Sequence, residues 1–157
     1  MDVLIRSARA EDTQDVLHLL AQIAEYHYNG RPDLFKKGSK YSAEQFEEML
    51  LDAQRPVFVA QDAQGAIIGY ALCKIQRICD HPVLADCDSL YIDDLCVDEQ
   101  VRGLQIGRRL YEAASAFAKE SGLYSVTLNV WEFNANAVRF YERCGMKTQR
   151  RTMEQIL

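Results

Sequence analysis

The stretch VRGLQIGRRL, residues 101–110, sets two glycines among three arginines directly before an apolar helical pattern. The first turn of a helix leaves backbone N–H groups without intrahelical partners, and the helix dipole places partial positive charge there. Glycines before that turn let an anion approach the backbone, and arginines add charge-assisted hydrogen bonds. The segment therefore predicts either a seat for a pyrophosphate group or a simple turn into a helix with surface arginines.

The composition is that of one ordinary folded domain, which we expect to span residues 1–157. The chain is 48% hydrophobic and 26% charged, enough apolar material for one core. Its net charge of −5 argues against non-specific binding of nucleic acid, which needs an excess of Lys and Arg. No apolar run approaches the roughly 20 residues of a membrane span. We therefore expect neither nucleic acid nor membrane as a partner.

The cysteines and the N-terminus indicate a cytoplasmic protein. The five cysteines are scattered and never spaced C-x-x-C, which favours thiols in a reducing cytosol and no metal site. The N-terminal residues lack the basic and apolar regions of a signal peptide.

The apolar periodicity predicts strands and helices that alternate along most of the chain. Helices are expected at residues 12–27, after a capping box formed by Ser42 and Gln45, at residues 106–118, and from Asn134 to a stop at Gly145. Residues 26–41 are expected to form a loop. Strands are expected at residues 3–7, 56–62, 66–76, 89–97 and 125–131, with a further strand within residues 146–157. This order predicts a mixed α/β sheet with helices on its faces.

Three segments resemble the motifs of the GNAT family of N-acetyltransferases. Residues 102–107, RGLQIG, are similar to the family's acetyl-CoA motif, Arg/Gln-x-x-Gly-x-Gly/Ala, with Gln105 in place of the first glycine. Residues 134–146, NANAVRFYERCGM, resemble the second signature, Asn-x-x-Ala-x-x-aromatic/Leu-Tyr followed by Gly and an apolar residue. Residues 91–98, YIDDLCVD, resemble the central strand, especially that of diamine and polyamine acetyltransferases. The resemblance implies a single-domain α/β fold with a mixed, mostly antiparallel central sheet.

The resemblance also implies acetyl-CoA as co-substrate and places its parts on named residues. A bulge in the central strand would free backbone groups at Leu95, Cys96 and Val97 for the thioester carbonyl oxygen and the pantetheine, and Cys96 itself is interpreted as a packed strand residue rather than a covalent nucleophile. Asn134 would help to position the CoA arm, or would act only as a helix cap. The complete set implied for the cofactor is Leu95, Cys96, Val97, Arg102, Gly103, Leu104, Gln105, Ile106, Gly107, Arg108, Asn134, Ala137 and Tyr141.

Two residues are candidates for the chemistry of acetyl transfer. An amine with a pKa of ~10.4 must lose a proton before it attacks, which costs on the order of 4–5 kcal/mol at pH 7. Asp93 occupies the place where the family often carries an acidic residue and is the candidate base, although a surface or loop-capping carboxylate also explains the residue. Asp94 should face the opposite side of the strand unless a bulge breaks the alternation. Tyr141, at the position of the family's usual acid, would protonate the departing thiolate, or would be only a half-buried aromatic.

The acceptor is indicated only by charge. Residues 78–101 contain seven carboxylates and no Lys or Arg, which favours a small cationic amine, a lysine-like compound or a basic peptide. Acidic loops on a protein of net charge −5 explain the same residues. The loop at residues 26–41 would line the acceptor pocket or pack at a subunit contact, so a homodimer stays open. Two other classes also remain open: an acyl-CoA-sensing module without turnover, and an interaction domain without cofactor.

Overall fold

The computed structural model describes residues 2–101 and 104–157, and over those residues it contains one sheet with helices on both faces. The strands are β1 (Leu4–Ser7), β2 (Val57–Gln61), β3 (Ile67–Ile78), β4 (Cys87–Val97) and β5 (Ser125–Leu128). The helices are α1 (Thr13–Gly30), α2 (Ala43–Leu50), α3 (Ile106–Glu120) and α4 (Ala135–Arg143). Short 3₁₀ turns lie at Ala10–Asp12 and Glu99–Val101. In the described ranges no helix is long and apolar enough to span a membrane.

The sheet is mixed and mostly antiparallel, as predicted. Its strand order is β1-β2-β3-β4-β5; the first four strands pair antiparallel and β5 lies parallel to β4. β2 and β3 form the predicted hairpin, whose turn contains Gly65 at a φ of +93°. A left-handed φ of this kind is strained for most residues and easy for glycine.

Two features of β4 determine the shape of the sheet at its centre. The ladder to β3 pairs Leu72 with Asp94 and Cys73 with Ile92, so Asp93 is the extra residue of a bulge. The ladder to β5 ends at Ile92, which leaves the last five residues of β4 extending beyond β5. The resemblance implied a bulge at Leu95–Val97, and that expectation was wrong because those residues pair in regular register with residues 69–71.

Each face of the sheet carries its own core. α1 and α2 cover one face with a buried group that includes Val16, Leu19, Phe46 and Tyr70. α3 covers the other face through Ile106, Leu110, Ala114 and Ala118, the one-sided stripe that the sequence predicted.

Three helix ends, on α2 and α4, show how well local signals predict structure. Ser42 Oγ accepts the N–H of Gln45 at 3.2 Å while Gln45 Oε1 accepts the N–H of Ser42 at 2.9 Å, which confirms the capping box of α2. Asn134 Oδ1 accepts the N–H of Ala137 at 3.2 Å and caps α4. α4 ends at Arg143 and is followed by Gly145 at a φ of +93°, in a Schellman arrangement closed by the N–H of Met146 to the carbonyl of Tyr141.

Two sequence predictions at the edges of elements were wrong. α1 continues to Gly30 rather than ending near residue 27, because its last turn packs against Phe133. A Cβ on Gly30 would lie 2.2 Å from the Phe133 ring, so the contact requires glycine. Residues 146–157 form no strand; Met153 and Ile156 remain exposed, so no apolar face anchors this segment to the sheet.

Candidate active site

The first turn of α3, the end of β4 and α4 meet around Gly107. A Cβ placed on Gly107 would lie 3.4 Å from the Phe140 ring of α4 and 3.6 Å from Cγ2 of Val97 on β4. All three motifs recognised in the sequence therefore converge at one place.

The residue before α3 has the left-handed backbone conformation that a glycine would readily adopt there. Gln105, which replaces the first glycine of the motif, has a φ of +60° and a ψ of 14°, in the left-handed region. Ile106 is buried and fixes the helix start, whereas Leu104 is 51% exposed. The opening N–H groups of a 15-residue helix thus follow a left-handed turn, a geometry suited to an anion. Arg102 and Gly103 lie outside the described residues.

Arg108 does not extend toward a phosphate position in this structure. Its Nε donates to Oε1 of Glu112 at 2.9 Å, one helical turn further along α3. Both side chains are more than half exposed, and an exposed pair of this kind is weak. The guanidinium can therefore leave Glu112 for a phosphate oxygen at little cost.

The open edge of β4 offers backbone groups beside this turn. Asp98 donates its N–H to the carbonyl of Ile68 on β3, so Asp98 faces β3 in the antiparallel ladder. Successive residues alternate in direction, which turns the N–H groups of Leu95 and Val97 toward the side that β5 no longer covers. Cys96 is 4% exposed, and its Sγ lies 3.7 Å from the carbonyl oxygen of Leu19. Cys96 is therefore a packed strand residue, as the sequence predicted.

Asp94 and Tyr141 interact electrostatically. Burial raises the pKa of Tyr141, and the negative charge of Asp94 raises it further. Burial likewise raises the pKa of Asp94 to about 6, although the charge of Lys40 and a hydrogen bond from Tyr70 oppose the rise. The Tyr70 hydroxyl donates to Asp94 Oδ2 at 3.2 Å. Because side chains alternate along a strand, Asp94 was expected to face away from the site unless a bulge intervened. The bulge at Asp93 breaks that alternation.

Asp93, the carboxylate that the sequence favoured, has other hydrogen-bond and ion-pair partners. Its Oδ2 accepts the Tyr41 hydroxyl at 2.5 Å, and its Oδ1 lies 3.0 Å from the ammonium of Lys40. Arg55 in turn donates to the Tyr41 hydroxyl at 3.2 Å. Burial raises the pKa of Tyr41, and the bond to Asp93 raises it further, so the phenol remains a donor. Sequence reasoning did not single out Lys40, Arg55 or Tyr70, and the only signal was that Lys40 and Tyr41 lie in the predicted pocket loop.

An aromatic group lies at the edge of the site where α1 ends and the chain leaves β5. Tyr26 and Phe133 stack with ring centroids 6.2 Å apart, and Trp131 stacks on Phe133 at the same distance. Phe35 meets Trp131 edge to face at 5.0 Å. The Tyr26 hydroxyl donates to Asn134 Oδ1 at 3.3 Å, so this group is tied to the cap of α4.

The chain belongs to the GNAT family of acetyltransferases. The family model described as "Acetyltransferase (GNAT) family" matches residues 20–146, which include all three convergent motifs. A mutant of the BH1408 protein from Bacillus halodurans has the same fold, with a TM-score of 0.95 and 32% identity over 98% of this chain and 99% of that one.

Two curated proteins are also similar. An uncharacterised N-acetyltransferase of Methanocaldococcus jannaschii is 27% identical over 143 residues, 91% of this chain. The peptidyl-lysine N-acetyltransferase YjaB of Escherichia coli is 31% identical over 99 residues, 63% of this chain. The matched regions span 60% and 54% of the lengths of these two relatives.

Proposed function

We propose that this protein is an acetyl-CoA-dependent N-acetyltransferase that transfers the acetyl group directly to a primary amine. The observation that carries the proposal is the convergence of α3, β4 and α4 at Gly107, with the candidate pair Asp94 and Tyr141 on β4 and α4. One member of the pair can accept a proton at neutral pH and the other can donate one. Direct transfer between a thioester and an amine requires both.

The cofactor would lie along the edge formed by α3 and β4. The N–H groups that open α3 would hold the pyrophosphate, assisted by Arg102 and Arg108. The outward N–H groups of Leu95 and Val97 would bind the amides of the pantetheine arm. Asn134 and Ala137, at the start of α4, would border that arm from the other side. This arrangement directs the thioester toward Tyr141.

The chemistry balances with the groups present. The amine nitrogen attacks the thioester carbon, the C–N bond forms, the C–S bond breaks, and the amine proton goes to a carboxylate. Tyr141 donates to the departing sulfur; because its pKa is raised, it remains a hydrogen-bond donor through the neutral range. Complete transfer to a thiolate of pKa ~8.5 is uphill for such a phenol. Asp94, which has taken the proton from the amine, therefore passes a proton to Tyr141 to replace the one that Tyr141 gives to the sulfur.

Asp94 fits the role of base better than Asp93, the residue that the sequence favoured. A general base works best when its pKa lies near the operating pH, and the pKa of Asp94 is raised to about 6. Both oxygens of Asp93 already have partners, the Tyr41 hydroxyl and the Lys40 ammonium. Asp93 would therefore act in binding rather than in proton transfer.

A small cationic amine is the acceptor that best fits the acidic surroundings of the site. The likeness of residues 91–98 to the diamine and polyamine branch favours the same class. The E. coli relative is named for acetylation of peptidyl lysine, which also presents a primary amine. Carboxylates along β4 would concentrate such cations at the site.

The test is a panel of primary amines incubated with acetyl-CoA, with release of free thiol as the readout. Amine-dependent release that is lost in Tyr141→Phe supports the proposal. Binding of acetyl-CoA with no thiol release across the panel would indicate a sensor module instead. If calorimetry detects no binding of CoA, the protein is an interaction domain and the proposal fails.

A further inference from the structure

The ammonium of Lys40 lies in a three-sided site formed by Asp93 and Tyr41, beside the proposed base Asp94. Its Nζ lies 3.0 Å from Asp93 Oδ1 and 3.2 Å from the backbone carbonyl oxygen of Asp93. The third side is the face of the Tyr41 ring, whose centroid is 5.6 Å away. A carboxylate, a carbonyl and an aromatic face are together the groups that recognise an alkylammonium ion.

The Asp93 half of this site is fixed before any ligand arrives. The Tyr41 hydroxyl holds Asp93 Oδ2, and the Arg55 guanidinium holds that hydroxyl while also lying over the Tyr41 ring at 5.6 Å. The side chain of Asp93 is only 19% exposed. Its Oδ1 therefore keeps one direction, toward the position of the ammonium. A preorganised acceptor of this kind lowers the cost of ligand binding.

Lys40 is the movable half of the site. Its side chain is 43% exposed and comes from the segment between α1 and α2. Half-exposed ion pairs of lysine are weak because a long side chain must be held in one geometry. Rotation of the Lys40 side chain alone opens the site, without any change in the backbone.

The two neighbouring carboxylates make different contacts. Asp94 accepts a hydrogen bond from Tyr70, and its charge acts on Tyr141, where the acetyl group would be transferred. Asp93 binds Tyr41 and Lys40, and the charge of Lys40 also acts on Asp94. A ligand with two amines can thus place one nitrogen at each carboxylate, whereas a monoamine can use only one.

We propose that the Asp93 site binds the second, non-reacting ammonium of a diamine acceptor, and that Lys40 fills this site until the acceptor displaces it. The inference rests on the proposed function and specifies the substrate class as an amine with a further positive charge. No bond changes at this site, since the second ammonium is only bound there.

The test compares 1,5-diaminopentane with pentylamine in Lys40→Met and in a matched control. Lys37→Met is that control, since Lys37 lies in the same segment and places its ammonium over the Tyr28 ring. With saturating acetyl-CoA, Lys40→Met should lower the KM for the diamine roughly two- to fivefold, the size expected for removal of a half-exposed ion pair. The KM for pentylamine should change less, and Lys37→Met should resemble the wild type with both amines.

Asp93→Asn tests the same site in the opposite direction, by removing the charge that would bind the second ammonium. It should raise the KM for the diamine more than the KM for pentylamine, both alone and combined with Lys40→Met. An unchanged or higher KM for the diamine in Lys40→Met would overturn the proposal. Equal loss of kcat for both amines in Asp93→Asn would also overturn it, because Asp93 would then act on the reacting nitrogen.

Calorimetric titration of 1,5-diaminopentane into each variant with CoA present separates this inference from the proposed function. If no amine releases thiol, yet Lys40→Met binds the diamine more tightly than Lys37→Met does, the acetyltransferase proposal fails and the ammonium site stands. If thiol is released but the two lysine variants bind the diamine equally, the ammonium site fails and the acetyltransferase stands.

Discussion

Replacing Asp94 by asparagine should make the protein more stable and much less active at neutral pH. The carboxylate is ionised at pH 7 although its surroundings disfavour the charge, and the displacement of its pKa from 3.8 to about 6 measures that penalty. At 1.36 kcal/mol per pH unit, the penalty amounts to about 3 kcal/mol as an upper estimate. Asparagine has nearly the same shape and can still accept the hydrogen bond from Tyr70, so it removes the charge and keeps the packing.

The sign of the pH dependence follows from proton binding. Between pH 3.8 and 6 the folded protein holds the Asp94 proton more tightly than the unfolded chain does. The contribution of Asp94 to the free energy of unfolding therefore falls as the pH rises through this window and is constant above it. The stability difference between Asp94→Asn and the wild type should be smallest near pH 4 and approach its full value above pH 7.

Urea unfolding of both proteins from pH 4 to 8 measures this difference directly. Asp88→Asn is the matched control, since Asp88 lies on the same strand but is 39% exposed and pairs with exposed Arg77. That control should differ from the wild type by less than about 1 kcal/mol at every pH. A constant difference between Asp94→Asn and the wild type across the range would refute the assignment of a shifted carboxylate at this position.

The same residue controls the activity profile. If Asp94 accepts the amine proton, kcat/KM of the wild type should rise as the pH rises through about 6, because only the ionised form is competent. Asp94→Asn should lose that limb and about 10²–10⁴-fold of the rate. Full activity of this variant would exclude Asp94 as the base.

Four other predictions follow from single contacts. Tyr141→Phe should lower kcat by about 10²-fold or more while the Kd for CoA changes little, and an unchanged rate would remove its role as donor. Gly30→Ala should cost about 1–3 kcal/mol of unfolding free energy in urea melts, because its Cβ would lie 2.2 Å from the Phe133 ring; a smaller loss would mean that the ring moves freely. Ser42→Ala should cost about 1 kcal/mol through loss of the α2 cap, whereas Ser42→Thr should retain most of it. Gln105→Gly should raise the free energy of unfolding by about 1 kcal/mol through relief of the φ of +60°, and a destabilised variant would show that the glutamine side chain makes a compensating contact.

The parts of the fold that sequence predicts well are those set by neighbours in the chain. The capping box at Ser42, the cap at Asn134 and the glycine stop at Gly145 each depend on backbone groups within a few residues. The hairpin between β2 and β3 is equally local. The stripe on α3 is predictable because burial of one helix face repeats every three to four residues.

The parts that it misses depend on pairing between distant segments. The bulge at Asp93 is a property of the β3–β4 register, and it breaks the alternation that would send the two carboxylates to opposite faces of the strand. Lys40 and Asp93 are 53 residues apart, so nothing local marks their contact. The last turn of α1 depends on Phe133, more than a hundred residues later. Tyr141 was predicted as a site residue from its motif, whereas its electrostatic interaction with Asp94 was not predicted.

The most direct test of the account is a crystal structure of the protein grown with CoA. The account predicts that the diphosphate oxygens lie within hydrogen-bond distance of the N–H groups that open α3, with the thiol directed toward Tyr141. A complex in which the diphosphate binds elsewhere, or in which a protein side chain fills that helix start, would contradict it.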